Sequence, residues 1–569
     1  MVDETTDQGI PPPEGDADII ETDYEIGQDN YTATVGRFGL DFHNPVFAMA
    51  ALSIIAFVFF TLALPDQANA LFSWLFNFVT KSFDWFFLGA ANIFVIFCLF
   101  LIVSPYGKIR LGGSDATPDY SYVGWLAMLF AAGMGIGLMF FGVSEPMSHF
   151  ASSMGGTSFE DGVRTDWAPL GAAGDDAAEA TRLGMAATIF HWGLHPWAIY
   201  AVVALALALF SYNKGLPLTL RSAFYPIFGD RVWGWTGHII DTLAVFATLF
   251  GLATSLGFGA EQAASGLTFL YGTGDAAEGT RSFIGIPYGN SEASGVANSS
   301  LLLVLLITGI TAIALVSVVR GLDGGVKVLS EINMGLAGLL LVFTLLVGGP
   351  IFLLTFFADS LWAYLQNIFA LSNPFGREDV NFSQGWTAFY WAWWISWSPF
   401  VGMFIARVSR GRTVREFLIC VLLIPSLVCV LWMSVFGGVA ISQVVNDGYT
   451  LAKDASLELK LFYMLDQLPL ATITSTIGIV LVVVFFVTSS DSGSLVIDTI
   501  TAGGKVDAPV TQRVFWCLFE GAVAIVLLVG GGLKALQSAV ISTGLPFTLV
   551  LLVMCWAILK GLQSERNNT

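Results

Sequence analysis

Residues 389–400 read Phe-Tyr-Trp-Ala-Trp-Trp-Ile-Ser-Trp-Ser-Pro-Phe, inside an apolar stretch that ends in a basic loop. Its four clustered tryptophans are Trp391, Trp393, Trp394 and Trp397. The face of an indole ring carries negative charge density and attracts cations, quaternary ammonium groups among them. A tryptophan cluster on a membrane helix therefore predicts a site that holds an organic cation partway across a bilayer.

The rest of the chain favours a membrane protein. Of its 569 residues 55% are hydrophobic and only 12% are charged, about half the charged share of soluble domains. Apolar stretches of about twenty residues have the length that crosses the hydrocarbon, and helices satisfy their own backbone there. The sequence therefore predicts an all-α integral membrane protein with twelve spans, at about 46–65, 86–106, 121–143, 186–211, 236–258, 299–318, 334–357, 387–406, 417–440, 472–490, 514–531 and 540–560.

Charge distribution predicts the orientation. Basic residues fall in alternate loops, and the positive-inside rule puts those loops and both termini in the cytoplasm of a bacterial cell, with the chain in its plasma membrane. We expect an acidic, disordered cytoplasmic tail at 1–44, a transporter domain at 45–560 and a short cytoplasmic tail at 561–569. The net charge of −19 argues against nucleic acid as a partner.

Three further segments carry chemistry. Gly133, Gly135 and Gly137 alternate within one span. Small residues can serve close helix packing, which prefers a spacing of four. Alternate glycines weaken a helix, and a locally unwound span exposes carbonyls that can coordinate a cation. We favour unwinding over packing for this segment.

The second segment is His-Trp-Gly-Leu-His-Pro-Trp-Ala-Ile-Tyr at 191–200. His191 and His195 have a spacing that can bind a metal, but no third ligand is evident nearby. Pro196 kinks the helix or frees a carbonyl, and Trp197 and Tyr200 then share a face. The third segment, Thr488-Ser489-Ser490-Asp491-Ser492, is either a helix terminus or a source of oxygen ligands for sodium.

These segments together resemble the betaine/choline/carnitine transporter family, in order from about residue 45 to 560, and most of all its sodium-coupled bacterial glycine betaine carriers. The resemblance implies a LeuT-like fold in which helices 3–12 form two inverted five-helix repeats. The glycine helix and the tryptophan helix would open the two repeats. The family assembles as trimers, partly through an amphipathic cytoplasmic helix that would correspond to about 319–333.

The resemblance also implies the site residues. The substrate site would have three parts. The aromatic box would be formed by Trp192, Trp197, Tyr200 and Trp394, and the route inward would be lined by Trp393 and Trp397. The unwound backbone would lie at Gly133, Gly135 and Gly137. One sodium ion would be bound by Ala131, Met134, Phe485, Thr488 and Ser489. A second would use Thr248 and Phe400.

Three departures from the family pattern matter. Leu252 stands where sodium-coupled relatives carry a second threonine, so a hydroxyl ligand of the second sodium site is missing. Gly137 stands where choline carriers tend to have aspartate, so the site lacks a counter-ion and suits a zwitterion. Only Lys560 and Arg566 follow the last span, in place of the long basic tail of the osmosensing relative.

We therefore expect a secondary transporter, not an enzyme, that imports a zwitterionic compatible solute by sodium symport with alternating access and serves osmoprotection. Glycine betaine is the first candidate, and ectoine and proline are others. The alternative on the same fold is a sodium-independent or proton-coupled quaternary-ammonium exchanger, for which Glu520, Glu261 and Asp241 are ionisable residues in or near spans. A membrane sensor or channel is the alternative of another class, and it would require a signalling domain or a pore-lining ring.

Overall fold

The computed structural model describes residues 11–36, 38–133, 135–273, 282–287, 300–320 and 327–568. Long helices dominate this part of the chain, as the apolar stretches predict. The first seven are α1 (Asn44–Ala63), α2 (Pro65–Val103), α3 (Tyr122–Gly133), α4 (Ile136–Met154), α5 (Ala177–Trp192), α6 (Leu194–Ala208) and α7 (Trp235–Tyr271). The next seven are α8 (Ser300–Arg320), α9 (Lys327–Val347), α10 (Pro350–Ser372), α11 (Ala388–Val408), α12 (Val414–Asp447), α13 (Ala471–Thr501) and α14 (Val510–Asn568).

Shorter elements connect them. Four short helices lie at Tyr225–Phe228, Val380–Phe382, Leu451–Asp454 and Lys460–Asp466. Six strands form three antiparallel hairpins: β1 (Asn30–Val35) with β2 (Phe38–His43), β3 (Phe159–Glu160) with β4 (Val163–Arg164), and β5 (Ser282–Phe283) with β6 (Ile286–Pro287). In the first hairpin Asn30 faces His43 and Val35 faces Phe38.

Ten described helices are long and apolar enough to cross a bilayer, and the count is eleven if α3 and α4 form one broken span. The tryptophan helix α11 is not among them, because tryptophan and serine lower its hydropathy. Helix α14 covers two predicted spans, 514–531 and 540–560, across a kink at Gly532. The all-helical membrane architecture is confirmed, whereas the number twelve and the inverted repeat stay predictions.

Burial separates an inner group of helices from an outer group. Across the most apolar stretch of α5 and α6, 94% of the residues are buried, and the share in α7 is 83%. In α9 and in α10 it is 22%. Large apolar side chains such as Phe59, Ile96 and Phe369 lie exposed on the outer helices, which suits contact with lipid tails. Among the central helices, α11 packs against α6 and α7, and α4 packs against α5 and α7, which brings the buried site residues together.

The structure differs from the predicted disorder of the N-terminal tail. Asn30–Val35 and Phe38–His43 form the β1–β2 hairpin, and acidic residues before and within it reach basic loops. Glu14 pairs with Arg410, Asp18 with Lys214 and Asp41 with Lys505, each at 2.6 Å. Composition alone predicts disorder, because it does not reveal basic partners that are distant in the sequence and close in the fold. Residues 1–10, also part of that prediction, lie outside the described residues.

The C-terminal prediction also changes. Residues 561–568 are the last turns of α14 rather than a tail, and Glu565 is buried there at 2.8 Å from the Lys214 ammonium. Likewise, 327–333 is the beginning of α9. The predicted amphipathic helix at 319–333 is therefore not a separate element among the described residues, because 319–320 end α8 and 327–333 begin α9. Residues 321–326 lie outside the described residues.

The Lys214 ammonium is buried between two carboxylates, Asp18 and Glu565, so we predict that Lys214→Met destabilises the protein. Losing the ammonium removes the positive charge between these two carboxylates. The cost is on the order of 2 kcal/mol, below that of a fully buried pair, because Asp18 is partly exposed. Thermal unfolding of the detergent-solubilised protein, followed by tryptophan fluorescence, measures the change.

Lys453→Met is the matched control. Lys453 lies 3.7 Å from Asp454, and their side chains are 35% and 62% exposed. An exposed pair of this kind contributes about 0–1 kcal/mol. Equal losses of thermal stability in the two variants would contradict the role assigned to Lys214.

Candidate functional site

The alternating glycines lie at a break between two helices. Helix α3 ends at Gly133 and α4 begins at Ile136, and the two axes differ by 62°. Gly135 between them is fully extended, with φ −171° and ψ −177°. The unwinding favoured for this segment is therefore present. Met134, one of the predicted sodium ligands, lies outside the described residues.

A second break lies beside it, between α5 and α6 at Gly193. Pro196 follows in the first turn of α6 and offers no N–H to the carbonyl of Trp192, four residues earlier. The break therefore precedes Pro196, and Trp192 lies at the end of α5. Trp197 and Tyr200 lie one and two turns into α6, with ring centroids 5.3 Å apart.

The four residues of the predicted aromatic box lie together. Trp394 of α11 is 5.0 Å from Trp192 and 5.7 Å from Tyr200, both edge to face. Its indole Nε1 donates a hydrogen bond of 2.9 Å to the backbone carbonyl of His191. Every ring of the box is at least 92% buried. The arrangement can surround a small apolar cation with aromatic surface.

The space between these rings is small. A cavity of about 30 Å³ is lined by the four box residues and by Gly135 and Gly137. That volume is about the space of one water molecule, so the rings must separate to admit a trimethylammonium group. A Cβ added at Gly137 would lie 2.7 Å from Cη2 of Trp192. Glycine at this position therefore lets α4 approach the box.

Trp393 and Trp397 continue the aromatic surface along α11, 6.3 Å apart. Trp393 donates from Nε1 to the hydroxyl of Ser255 on α7, at 3.2 Å. Trp397 lines the small cavity and also a larger one of about 370 Å³. Gly135, Ala132 and Val401 line both cavities as well. Trp397 therefore lies between the box and the larger cavity, as a residue on a route would.

The larger cavity brings together the first predicted sodium group. Ala131 at the end of α3 lines it together with Phe485, Thr488 and Ser489 of α13. The hydroxyl of Thr488 donates to the carbonyl of Phe485 at 3.0 Å, and its oxygen lone pairs stay available for a cation. Hydroxyl and carbonyl oxygens beside a broken helix suit a hard ion such as sodium.

The residues predicted for the second sodium site, Thr248 and Phe400, do not line a common cavity. Phe400 lines the larger cavity, 5.5 Å from Trp397. Thr248 is fully buried in α7 and lines neither cavity, and its hydroxyl donates to the carbonyl of Ala244 at 2.8 Å. Leu252, at the position of the missing hydroxyl, packs its side chain against Gly493 of α13.

Sequence reasoning missed Glu145, a fully buried carboxylate on α4. Its Oε1 lies 2.6 Å from Nδ1 of His191 and 3.2 Å from Nε2 of His149. Its Oε2 accepts from Nε1 of Trp192 at 2.6 Å and from the hydroxyl of Tyr390 at 2.5 Å. The only sequence signal is a carboxylate inside an apolar span, which is a functional candidate by default.

Sequence reasoning also missed the contribution of α9 to the larger cavity. Ser330 and Asn333 of this helix line it, together with Arg407 at the end of α11. Asn333 is 2% exposed, and its Oδ1 has no hydrogen-bond partner within the described part of the chain. No spacing rule connects α9 with α11, so only the fold could have pointed to these residues.

The histidine pair His191 and His195 does not form a metal site, because His195 bonds to Asn92 at 3.0 Å instead. Glu145, His149 and His191 do form a compact cluster of possible ligands. Two ligands of one tetrahedral zinc ion are separated by about 3.3 Å. The 2.6 Å between Glu145 and His191 is shorter and fits a hydrogen bond.

Comparisons with known proteins agree with this geometry. The model of the BCCT, betaine/carnitine/choline family transporter, matches residues 45–567. The chain is 63% identical over 557 residues to a glycine betaine/proline/choline transporter of Vibrio parahaemolyticus, covering 98% of this chain and 97% of the relative. A glycine betaine/proline/choline/ectoine transporter of the same organism is 52% identical over 561 residues, with 96% and 91% covered.

A more distant relative is also similar along most of its length. The glycine betaine transporter OpuD of Bacillus subtilis is 43% identical over 495 residues, covering 86% of this chain and 88% of the relative. The family match spans the broken helices and the tryptophan helix alike. The chain is thus a multi-pass membrane transporter, not an enzyme, and it belongs to the betaine/carnitine/choline transporter family.

Proposed function

We propose that this transporter imports glycine betaine by sodium symport with alternating access, with proline and ectoine as further substrates. The observation that carries the proposal is the buried box of Trp192, Trp197, Tyr200 and Trp394. Each desolvated contact between a quaternary ammonium and an aromatic face is worth about 1–2 kcal/mol. The three relatives described above are all named as transporters of glycine betaine, which supports the same substrate.

The carboxylate of the substrate requires donors, and the N-terminus of α4 can supply them. The first N–H groups of a helix lack partners within the helix and carry partial positive charge. Helix α4 begins at Ile136, and Gly137 lies against the Trp192 ring. A zwitterion can therefore place its ammonium among the rings and its carboxylate at the first turn of α4.

Sodium is the proposed coupling ion. Ala131, Phe485, Thr488 and Ser489 line one cavity, and the broken helix α3–α4 also borders the substrate box. An ion bound there fixes the backbone that the substrate contacts. Sodium binding then favours substrate binding by the same free energy by which substrate favours sodium.

We propose the family architecture for the whole molecule: twelve spans, the LeuT-like inverted repeat, a homotrimer, and both termini in the cytoplasm of a bacterial cell. The orientation is supported by the clustering of Lys214 and Arg410 with the N-terminal segment and the end of α14. Basic loops at one face fit the positive-inside rule.

The second candidate is a proton-coupled or sodium-independent exchanger of quaternary ammonium compounds. Glu520 favours it, because this carboxylate is 1% exposed on α14 and accepts from the hydroxyl of Ser490 at 3.0 Å. Uptake of a solute panel into proteoliposomes separates the two candidates. Sodium symport requires uptake driven by a sodium gradient, and uptake driven equally well without sodium would establish the exchanger.

We predict that Trp394→Leu raises the KM for glycine betaine at least tenfold, because leucine keeps apolar bulk and loses the aromatic face. Uptake kinetics in proteoliposomes with matched protein content measure it. Trp391→Leu is the matched control on the same helix, since Trp391 packs against Phe190 and His195 and not in the box. Unchanged KM in Trp394→Leu would remove Trp394 from the site.

The second prediction concerns the number of coupled ions. Leu252 offers no oxygen, and Thr248 lines neither cavity, so we expect one sodium ion per substrate. Reversal-potential measurements in proteoliposomes give the ratio. A ratio of two would show that other oxygens replace the missing hydroxyl. If the parent couples two sodium ions, Leu252→Thr should leave the ratio at two. If the parent couples one, a second site created by Leu252→Thr should raise the ratio to two.

The third prediction concerns charge selectivity. Gly137 leaves the box without a counter-ion, so we expect a KM for choline at least tenfold above that for glycine betaine. Two relatives have choline in their names, which argues for measurable choline uptake. We expect Gly137→Asp to lower the KM for choline and to make choline uptake less dependent on sodium.

Gly137→Asn is the control for this substitution. Its side chain has the size of aspartate and meets the Trp192 ring in the same way, but it is uncharged. Equal effects of Asp and Asn on choline uptake would assign the change to the displaced ring rather than to charge. Choline uptake by the parent that equals betaine uptake would refute the preference for zwitterions.

A further inference from the structure

Glu145 has four side-chain hydrogen-bond partners although it lies in the interior of the molecule. The carboxylate is fully buried, and two histidine rings, an indole and a phenol surround it: His149, His191, Trp192 and Tyr390. Burying a carboxylate is costly unless its oxygens are paired, and here both oxygens are. Such a group therefore has a fixed place, and it fixes the groups that bond to it.

Two rings of the aromatic box are oriented through this carboxylate. Trp192 donates its indole N–H directly to Glu145 at 2.6 Å. Trp394 donates its indole N–H to the backbone carbonyl of His191, the residue that lies 2.6 Å from the other oxygen of Glu145. The rings of Trp192 and Trp394 stand at 86° to each other. Glu145 thus connects both ring orientations to α4, the helix that carries Gly137.

Besides Trp192, three side chains contact the carboxylate: Tyr390, His191 and His149. The Tyr390 ring stacks on His191 at 4.5 Å and donates its hydroxyl to the same oxygen as Trp192. His191 also lies 3.0 Å from the Thr387 hydroxyl through Nε2. Helices α4, α5 and α11 therefore meet at Glu145, and none of these partners is a member of the box except Trp192.

We propose that Glu145 is a positioning residue that holds the Trp192 ring in the orientation that receives the substrate ammonium. The proposal rests on the proposed function of the box. A ring fixed before the substrate arrives loses no rotational freedom on binding, so affinity depends on the carboxylate. An indole that donates to a carboxylate is also polarised toward a more negative face, which strengthens its attraction for a cation.

The test is the uptake kinetics of Glu145→Gln. The amide keeps the size of the side chain but removes its charge and replaces one acceptor oxygen by an NH2 donor, so the bond from Trp192 loses its charge assistance even if the amide oxygen still accepts it. We expect the KM for glycine betaine to rise about tenfold and kcat to stay within twofold. A role only in holding the helices together would instead lower kcat or the amount of folded protein.

A double-mutant cycle makes the test specific. Trp192→Phe keeps an aromatic ring and removes the N–H donor, so it should raise KM as Glu145→Gln does. The double variant should be no worse than the poorer single variant, because both changes remove the same interaction. KM increases that multiply in the double variant would overturn the proposal, as would an unchanged KM in folded Glu145→Gln.

Two more variants complete the design. Tyr390→Phe removes one donor to Glu145 and keeps the ring, so we expect a two- to threefold rise in KM. If Glu145→Gln does not fold, the two phenylalanine variants carry the test. An unchanged KM in both Tyr390→Phe and Trp192→Phe would then overturn the proposal. His195→Gln alters an equally buried polar side chain of α6 that contacts Asn92 and not Glu145, so its KM should match the parent. Absence of betaine uptake by the parent refutes the proposed function instead, and the variants are then compared on the solute that the parent does take up.

Discussion

The structure depends on one constraint, which is that a helix surrounded by lipid must satisfy its own backbone hydrogen bonds. Breaks are tolerated only where protein or a cavity surrounds them. The two breaks at the site, at Gly135 and Gly193, obey this rule. Both lie beside the helices α4, α5 and α6, most of whose residues are buried. Unpaired backbone groups, which would be a liability at the outer helices, are here next to the aromatic rings and the hydroxyls of α13.

The fold could be predicted in outline because hydropathy reports burial in lipid directly. The sequence located the apolar stretches, the broken glycine helix and the box residues, several of them through resemblance. It failed where the signal depends on partners far along the chain. The N-terminal segment has the composition of a disordered tail, and only the positions of Lys214, Arg410 and Lys505 in space show what binds it. Glu145 was missed for the same reason, since no spacing rule links it with Tyr390.

The tryptophan segment shows how one pattern can serve two purposes. Trp393, Trp394 and Trp397 line the small cavity, whereas Trp391 is fully buried among Phe190 and His195 on another face of α11. Helical periodicity separates these faces, because positions three and four apart lie together. A residue's presence in an aromatic run therefore does not place it in a site, and each ring has to be assigned by its neighbours.

The ion triplet of Asp18, Lys214 and Glu565 joins the two ends of the chain to its middle. A ribosome delivers Asp18 well before Lys214, and Glu565 well after it. Lys214 therefore has only one of its two carboxylate partners throughout the synthesis of the intervening helices. The triplet is completed only when the turn of α14 that carries Glu565 has been made, so Glu565 joins an ion pair that Asp18 and Lys214 can already form.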